Sequence, residues 1–325
     1  MQPATLMAAK LFIVPLVKVS LALMVLAIGL RSSEGDALWL IRRPGLLARS
    51  LLSINVIVPL VALAVTQAFD LQPAVEVAIV ALSISPVPPV LPIQTGKAGG
   101  ESAYAIGLLT VVSLAAIVLV PLSVVALAAL LGGTAPLAGR PVAVLMVEGV
   151  LAPLGVGFAI RRLAPRFAAR VAKPVNAVGI IALAIGLILI LIAAWPAMQS
   201  LLGGRTLLAI LIVVALGLFV GHELGGPVDA NRPVLALASV SRHPAVAIAV
   251  ASAAFPSSRL VAPAVLLQFI VAALASLPYI RRLKRMGTRP RHVAATGGEL
   301  RSPATSAPPG SSGRFVPPTR TGRSR

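Results

Sequence analysis

The chain has 325 residues, of which 58% are hydrophobic and 11% charged, with a net charge of +19 and no cysteine. Soluble domains carry about a quarter charged residues, so a single globular core is excluded, and disulfides, thiolate metal sites and cysteine nucleophiles go with the cysteines. Three histidines and nine acidic residues leave little material for a metal cluster, and the basic excess does not point to nucleic acid, because eleven of the 28 Lys and Arg follow Ile280 and most others sit in short loops between apolar runs.

Apolar runs occupy about 9–30, 46–68, 72–95, 102–131, 141–160, 175–195, 206–222, 233–253 and 260–280. Each is long enough to cross a hydrocarbon layer of about 30 Å as a helix. Open strands in lipid would leave their amides unpaired, and the alternating pattern of a β-barrel is missing. The expected fold class is an all-α polytopic membrane protein of about nine spans within residues 1–285.

The first run contains Lys18 and no small-residue cleavage site before the basic loop, so it reads as a retained span rather than a signal peptide. Arg31, Arg42, Arg43 and Arg49 follow it, and residues 37–43 read as a short interfacial helix with Trp39 at headgroup level. The second span carries Asn55. The third holds Ser85-Pro86-Val87-Pro88-Pro89-Val90-Leu91-Pro92, four prolines in seven residues, which no continuous α-helix accommodates. Thr110 and Ser113 lie in the fourth span and Glu148 in the fifth, which is followed by Arg161, Arg162, Arg166, Arg170 and Lys173. The eighth span is interrupted by Ser239-Val240-Ser241-Arg242-His243-Pro244, and Arg281, Arg282, Lys284 and Arg285 follow the ninth. Residues 286–325 turn to Pro, Ser, Thr, Gly and Arg and read as a disordered basic tail.

Basic residues crowd the loops after spans 1, 5 and 9 and are sparse after spans 2, 4, 6 and 8, where Asp70, Arg140, Arg205 and Arg259 stand. The positive-inside rule then places the N-terminus outside and the C-terminus in the cytoplasm of a multi-pass protein of the cell (inner or plasma) membrane. Spans 3 and 8 are five crossings apart, so they run in opposite directions. Paired interruptions in two inverted halves are the sequence signature of a transporter site near the bilayer midplane. The alternative for each is a proline kink held by its neighbours.

These features together resemble the bile acid:sodium symporter superfamily. Leu26-Ala27-Ile28-Gly29-Leu30 is similar to its "MxGLxL" helix, with Arg42-Arg43-Pro44 following. Leu51-Leu52-Ser53-Ile54-Asn55-Val56-Ile57-Val58-Pro59-Leu60 is similar to "LLxQFxxMPLL", Ser85-Pro86 to "CxPGGxxSN", and the stretch from Arg232-Pro233 to His243-Pro244-Ala245-Val246-Ala247 to "RTxxxExGxQNxxLA". The resemblance runs over residues 10–285. It implies inverted repeats in a panel and a core domain, two broken helices crossing in the core, and a small organic anion as substrate: a bile acid, sulfated steroid, pantoate or 2-oxo acid, usually driven by sodium. Members typically have ten spans, and this chain matches nine of them, without the first. The arsenite-efflux branch uses a cysteine that this chain lacks.

The departures from the family pattern fall on the sodium ligands. The resemblance puts its Glu at Ala238 and its neighbouring Gln at Arg242, its Ser-Asn pair in the apolar 90–92 region, and the Gln of its second matched helix at Ile54, beside Asn55. These replacements speak against sodium coupling and leave H+ as the other coupling ion to consider; no cofactor is implied. Arg242 reads either as an anion anchor, through its planar fork of donors, or as a partner of Glu148. Lys18 snorkels, pairs with Glu148 or lines the pathway, and Glu148 and His243 are the candidate proton carriers. With Ser239, Ser241, Ser85, Pro86, Pro88, Pro89, Asn55, Thr110 and Ser113, these form the expected substrate- or ion-binding set. No nucleophile elbow, zincin or Walker motif points to an enzyme. The leading reading is a secondary transporter of a small organic anion working by alternating access in the lipid bilayer. The others are a membrane sensor or scaffold that keeps the fold without transport, and a proton-coupled efflux carrier.

Overall fold

Proline places many of the helix starts in this protein. The computed structural model describes residues 3–32, 34–130, 139–255 and 258–285. The chain divides into a helical body, Met1–Pro290, and a second unit, Arg291–Arg325; the expected disordered tail at 286–325 lies outside the described residues. The elements are α1 (Pro3–Arg31), α2 (Glu34–Ala37), α3 (Pro44–Leu52), α4 (Val58–Ala68), α5 (Pro73–Ile84), α6 (Leu91–Lys97), α7 (Ser102–Leu130), α8 (Gly139–Met146), α9 (Ala152–Leu163), α10 (Pro165–Gln199), α11 (Gly204–Leu224), α12 (Arg232–Val240), α13 (Pro244–Ala254) and α14 (Val261–Arg285). A π-helical turn, Ser53–Ile57, joins α3 to α4, and another, Val147–Leu151, joins α8 to α9. No strand occurs among the described residues. Pro44, Pro73, Pro165, Pro233 and Pro244 stand in the first turns of their helices, where a missing N–H costs no hydrogen bond.

Seven helical runs among the described residues are long and apolar enough to cross a membrane: Pro44–Ala68, Ser102–Ala126, Val144–Leu163, Pro165–Gln199, Gly204–Leu224, Arg232–Ser252 and Val261–Arg285. The broken third run contributes Pro73–Ile84, a shorter apolar helix. With 35 residues, α10 is about 52 Å long at 1.5 Å per residue. It therefore outreaches the apolar run read from sequence, and Arg166, Arg170 and Lys173 lie in its first turns. Along its length Ile181, Ile185, Ile188 and Ile192 are exposed, a surface whose natural solvent is lipid.

Small residues set the packing of α1. A Cβ on Gly29 would lie 2.5 Å from the Leu154 carbonyl oxygen and 2.9 Å from the Gly157 Cα, so α1 and α9 touch backbone to backbone. Gly179 and Gly186 of α10 instead make room for the side chains of Met24 and Val17 of α1. Thus α1, α9 and α10 form one packed group. A second apolar cluster gathers α4, α5, α11, α13 and α14 around Ile79, Ile210, Val246 and Val265.

The loop after α1 differs from expectation. Its short helix is Glu34–Ala37, and residues 38–42 form turns rather than an interfacial helix. The reason is packing: Trp39 stacks on the buried Tyr104 ring at 5.6 Å, Arg43 covers the indole at 3.6 Å, and the Tyr104 hydroxyl lies 2.7 Å from Ser50 Oγ. Trp39 is a clamp onto α7 and α3.

Candidate functional site

Both breaks follow from proline chemistry. Ser85 is extended (φ −75°, ψ 153°) because Pro86 follows it, and His243 is extended (φ −82°, ψ 103°) because Pro244 follows it. Each break therefore leaves carbonyls without a helical donor. Ser85 O would take its bond from residue 88 or 89, and both are proline. Ser239 O would take it from His243, whose N–H instead reaches across to Pro86 O at 2.8 Å. The two broken helices thus meet directly, break to break.

A third orphan comes from the π-helical turn. Val58 N–H returns to Ser53 O, and the next residue, Pro59, has no N–H. Ile54 O is left with neither the α nor the π partner. Pro153 follows Ala152 in the same way after the turn at Val147–Leu151, where Ala152 N–H returns to Val147 O.

All three orphaned oxygens converge on one side chain. Arg242 Nε donates to Ser239 O at 3.2 Å, Nη1 to Ser85 O at 3.1 Å and Nη2 to Ile54 O at 2.8 Å. The residue is only 3% exposed. An isolated buried cation is costly, and here carbonyl dipoles at the C-terminal ends of α5 and α12 face it, the helix ends that favour positive charge. Around it Ser53 Oγ lies 2.8 Å from Ser239 Oγ, and Ser241 Oγ donates to Gln94 Oε1 at 2.8 Å. A cavity of about 20 Å³, lined by Ser83, Ser239, Arg242 and Gln268 among apolar residues, flanks the guanidinium. Gln268 Oε1 and His243 Nδ1 are buried and have no protein partner.

The crossing gathers six of the residues singled out in the sequence: Arg242, His243, Ser241, Ser239, Ser85 and Pro86. Pro88 and Pro89 are buried within the first break. The others are not joined to it by any hydrogen bond. Asn55 Nδ2 turns back to Leu51 O at 3.4 Å, and Thr110 Oγ1 bonds Ile106 O at 2.9 Å. Ser113 is buried in α7 with an unpartnered hydroxyl. Lys18 and Glu148 are exposed, on α1 and in the second π-helical turn. Glu148 makes no ion pair with Arg242, whose partners are carbonyls. Ser53, Gln94 and Gln268 were not singled out, and Ile54 was named only as the position matching the family's Gln; Pro59 after Val58 was the signal for its carbonyl, and a lone Gln in the apolar part of α14 was the signal for Gln268.

A cleft of about 630 Å³ runs alongside, between the packed group of α1 and α10 and the half-helix α6 that follows the first break. Arg31, Ser32 and Asn176 line one side, and Lys97, Glu101 and Ser102 the other.

The profile of the sodium bile acid symporter family matches residues 18–201, more than half of the chain. The chain belongs to the sodium bile acid symporter family. A comparison with the curated proteins returns no match. Membership makes this a membrane transporter of the bile acid symporter type, and the seven apolar helical runs fit a multi-pass membrane protein. The matched region contains the first broken helix of this symporter-type fold and ends before the second, so Arg242 lies beyond it.

Proposed function

We propose that this protein is a secondary transporter that moves a small organic anion by alternating access, with α1, α9 and α10 as one body and the helices around the crossing as the other. Nine crossings, with the N-terminus outside, make the spans beginning at α5 and α12 inverted counterparts. The observation that carries this reading is the direct contact of the two breaks, His243 N–H to Pro86 O at 2.8 Å. Irregular backbone at membrane depth is tolerated where it is buried in protein or lines a site, and paired breaks in two halves mark the site of a carrier. The cleft beside α6 has room for a small anion, and Arg31 and Lys97 are among its lining residues. Among the described residues the charge of Arg242 is met by carbonyl dipoles and by no carboxylate within ion-pair distance, so a net positive charge stays at the crossing, and a fixed positive charge favours an anion nearby.

Counterflow in proteoliposomes tests this reading against a panel of carboxylates and sulfates. An excess of unlabelled anion inside should drive transient accumulation of the labelled anion, for at least one member of the panel. A thermal shift by such anions with no flux at all would identify a sensor of the same fold instead.

A further inference from the structure

We infer that Arg242 is a permanently bound cation: its guanidinium fills the oxygen cage at the crossing, so the carrier cycles without a sodium ion bound there and a sodium gradient does not concentrate its anion. The inference deepens the transport reading and rests on it.

The cage has the makeup of a cation site. Three backbone oxygens, from Ile54, Ser85 and Ser239, point at one centre from three different segments. Each was released by a proline or a chain break, so none has a competing helical donor. Sodium requires such oxygens, and here they do not fit it. All three already accept N–H bonds of 2.8–3.2 Å from a buried guanidinium. A second cation at that place would meet a fixed positive charge in low-dielectric surroundings, where the repulsion is severe. The residues read as sodium ligands by resemblance, at 238, 242 and 90–92, offer no side-chain oxygen either.

The functional consequence is thermodynamic. A driving ion contributes free energy because it binds on one side and leaves on the other. A tethered side chain never leaves, so it holds the two broken helices together while contributing nothing to a gradient. No sodium ion therefore moves with the anion through this cage.

The test is thermal unfolding of the purified full chain in detergent, with wild type and Arg242→Ala compared in sodium, potassium or N-methylglucamine at constant ionic strength. Each is then titrated with guanidinium far below denaturing concentrations, using equal urea as the control. The wild-type midpoint should be the same in all three salts and should not rise with guanidinium. Arg242→Ala should melt lower, and its midpoint should rise saturably with guanidinium and not with urea, following the logarithmic dependence of ligand stabilisation. Where Arg242→Ala does not fold, Arg242→Gln, which keeps polar bulk at the same place, should show the same guanidinium dependence. No guanidinium effect in any folded variant, or a wild-type midpoint raised by sodium and not by potassium, would overturn the inference. This readout needs no substrate. A failure of the transport proposal appears as absent counterflow, while a failure of this inference appears in the melting curves.

Discussion

Ser53 and Ser239 sit with their hydroxyls 2.8 Å apart, both fully buried, one from the π-helical turn and one from α12. Each is the other's partner across the site, so removing one strands the other. Ser239→Ala should cost about 1–3 kcal/mol, the usual penalty for a buried polar group left unsatisfied, whereas Ser53→Ala combined with Ser239→Ala should recover most of that loss. Chemical denaturation of the three variants measures it, and simple additivity of the two single changes would show that the pair is not coupled. Gly221 backs the same place: a Cβ there would lie 2.6 Å from Ala236 Cα and 2.7 Å from Ser239 Oγ. At this scale the sequence was partly readable. Arg242 stood out as a charge within a break, while which carbonyls would be orphaned emerged only with the structure. That the guanidinium turns to three carbonyls rather than to Glu148 was not readable, because it depends on where the π-helical turn brings Ile54, a tertiary fact with no local signature.

Among the elements, the π-helical turn at Ser53–Ile57 carries the most weight. Its existence follows from Val58 donating to Ser53 O and Pro59 donating nothing. Pro59→Ala restores an N–H that can close the helix over Ile54 O. The helix then regains up to about 3 kcal/mol of the proline penalty, while Arg242 loses a charge-assisted bond worth about 1.5–3 kcal/mol. The two nearly cancel, so Pro59→Ala should keep its thermal midpoint within a few degrees of wild type yet transport poorly. Parallel melting and counterflow measurements separate the two effects, and unchanged counterflow would mean that Ile54 O is dispensable. The first break was legible because four prolines in seven residues admit no continuous helix, and the second because the charged stretch Ser239-Val240-Ser241-Arg242-His243-Pro244 interrupts an apolar run; the alternative of a simple proline kink was left open for each. The stretch 37–43 differs from its reading as an interfacial helix because Trp39 looked like an interfacial anchor by residue type, and its stacking on Tyr104 is set by α7, more than sixty residues later in the chain.

For the molecule as a whole, the contact of Gly29 with Gly157 ties α1 to α9 and so defines one of the two bodies proposed to move. Gly157→Val puts side-chain atoms where the Leu26 carbonyl oxygen lies 2.6 Å from a Cβ, and overpacking of this kind costs about 1–3 kcal/mol; a fall in the melting midpoint checks it, and an unchanged midpoint would separate α1 from α9. Topology follows from the arrangement of basic loops: a reporter fused after Arg285 should read cytoplasmic, and an external signal there would break the nine-crossing scheme. Of the nine apolar runs read from hydropathy, seven correspond to helical runs long and apolar enough to cross a membrane among the described residues, and the third contributes the shorter Pro73–Ile84, because apolar length is a local property. Hydropathy says nothing of the two bodies proposed here, because that proposal rests on which glycines face which backbone. The measurement that bears most directly on the central claim is the initial rate of anion uptake into proteoliposomes under an inward sodium gradient, against the same gradient of potassium, at fixed pH, ionic strength and membrane potential. A carrier whose cation is Arg242 gives equal rates and no accumulation above the equilibrium level. A rate that rises steeply with sodium, with accumulation collapsing when the gradient is removed, would contradict it.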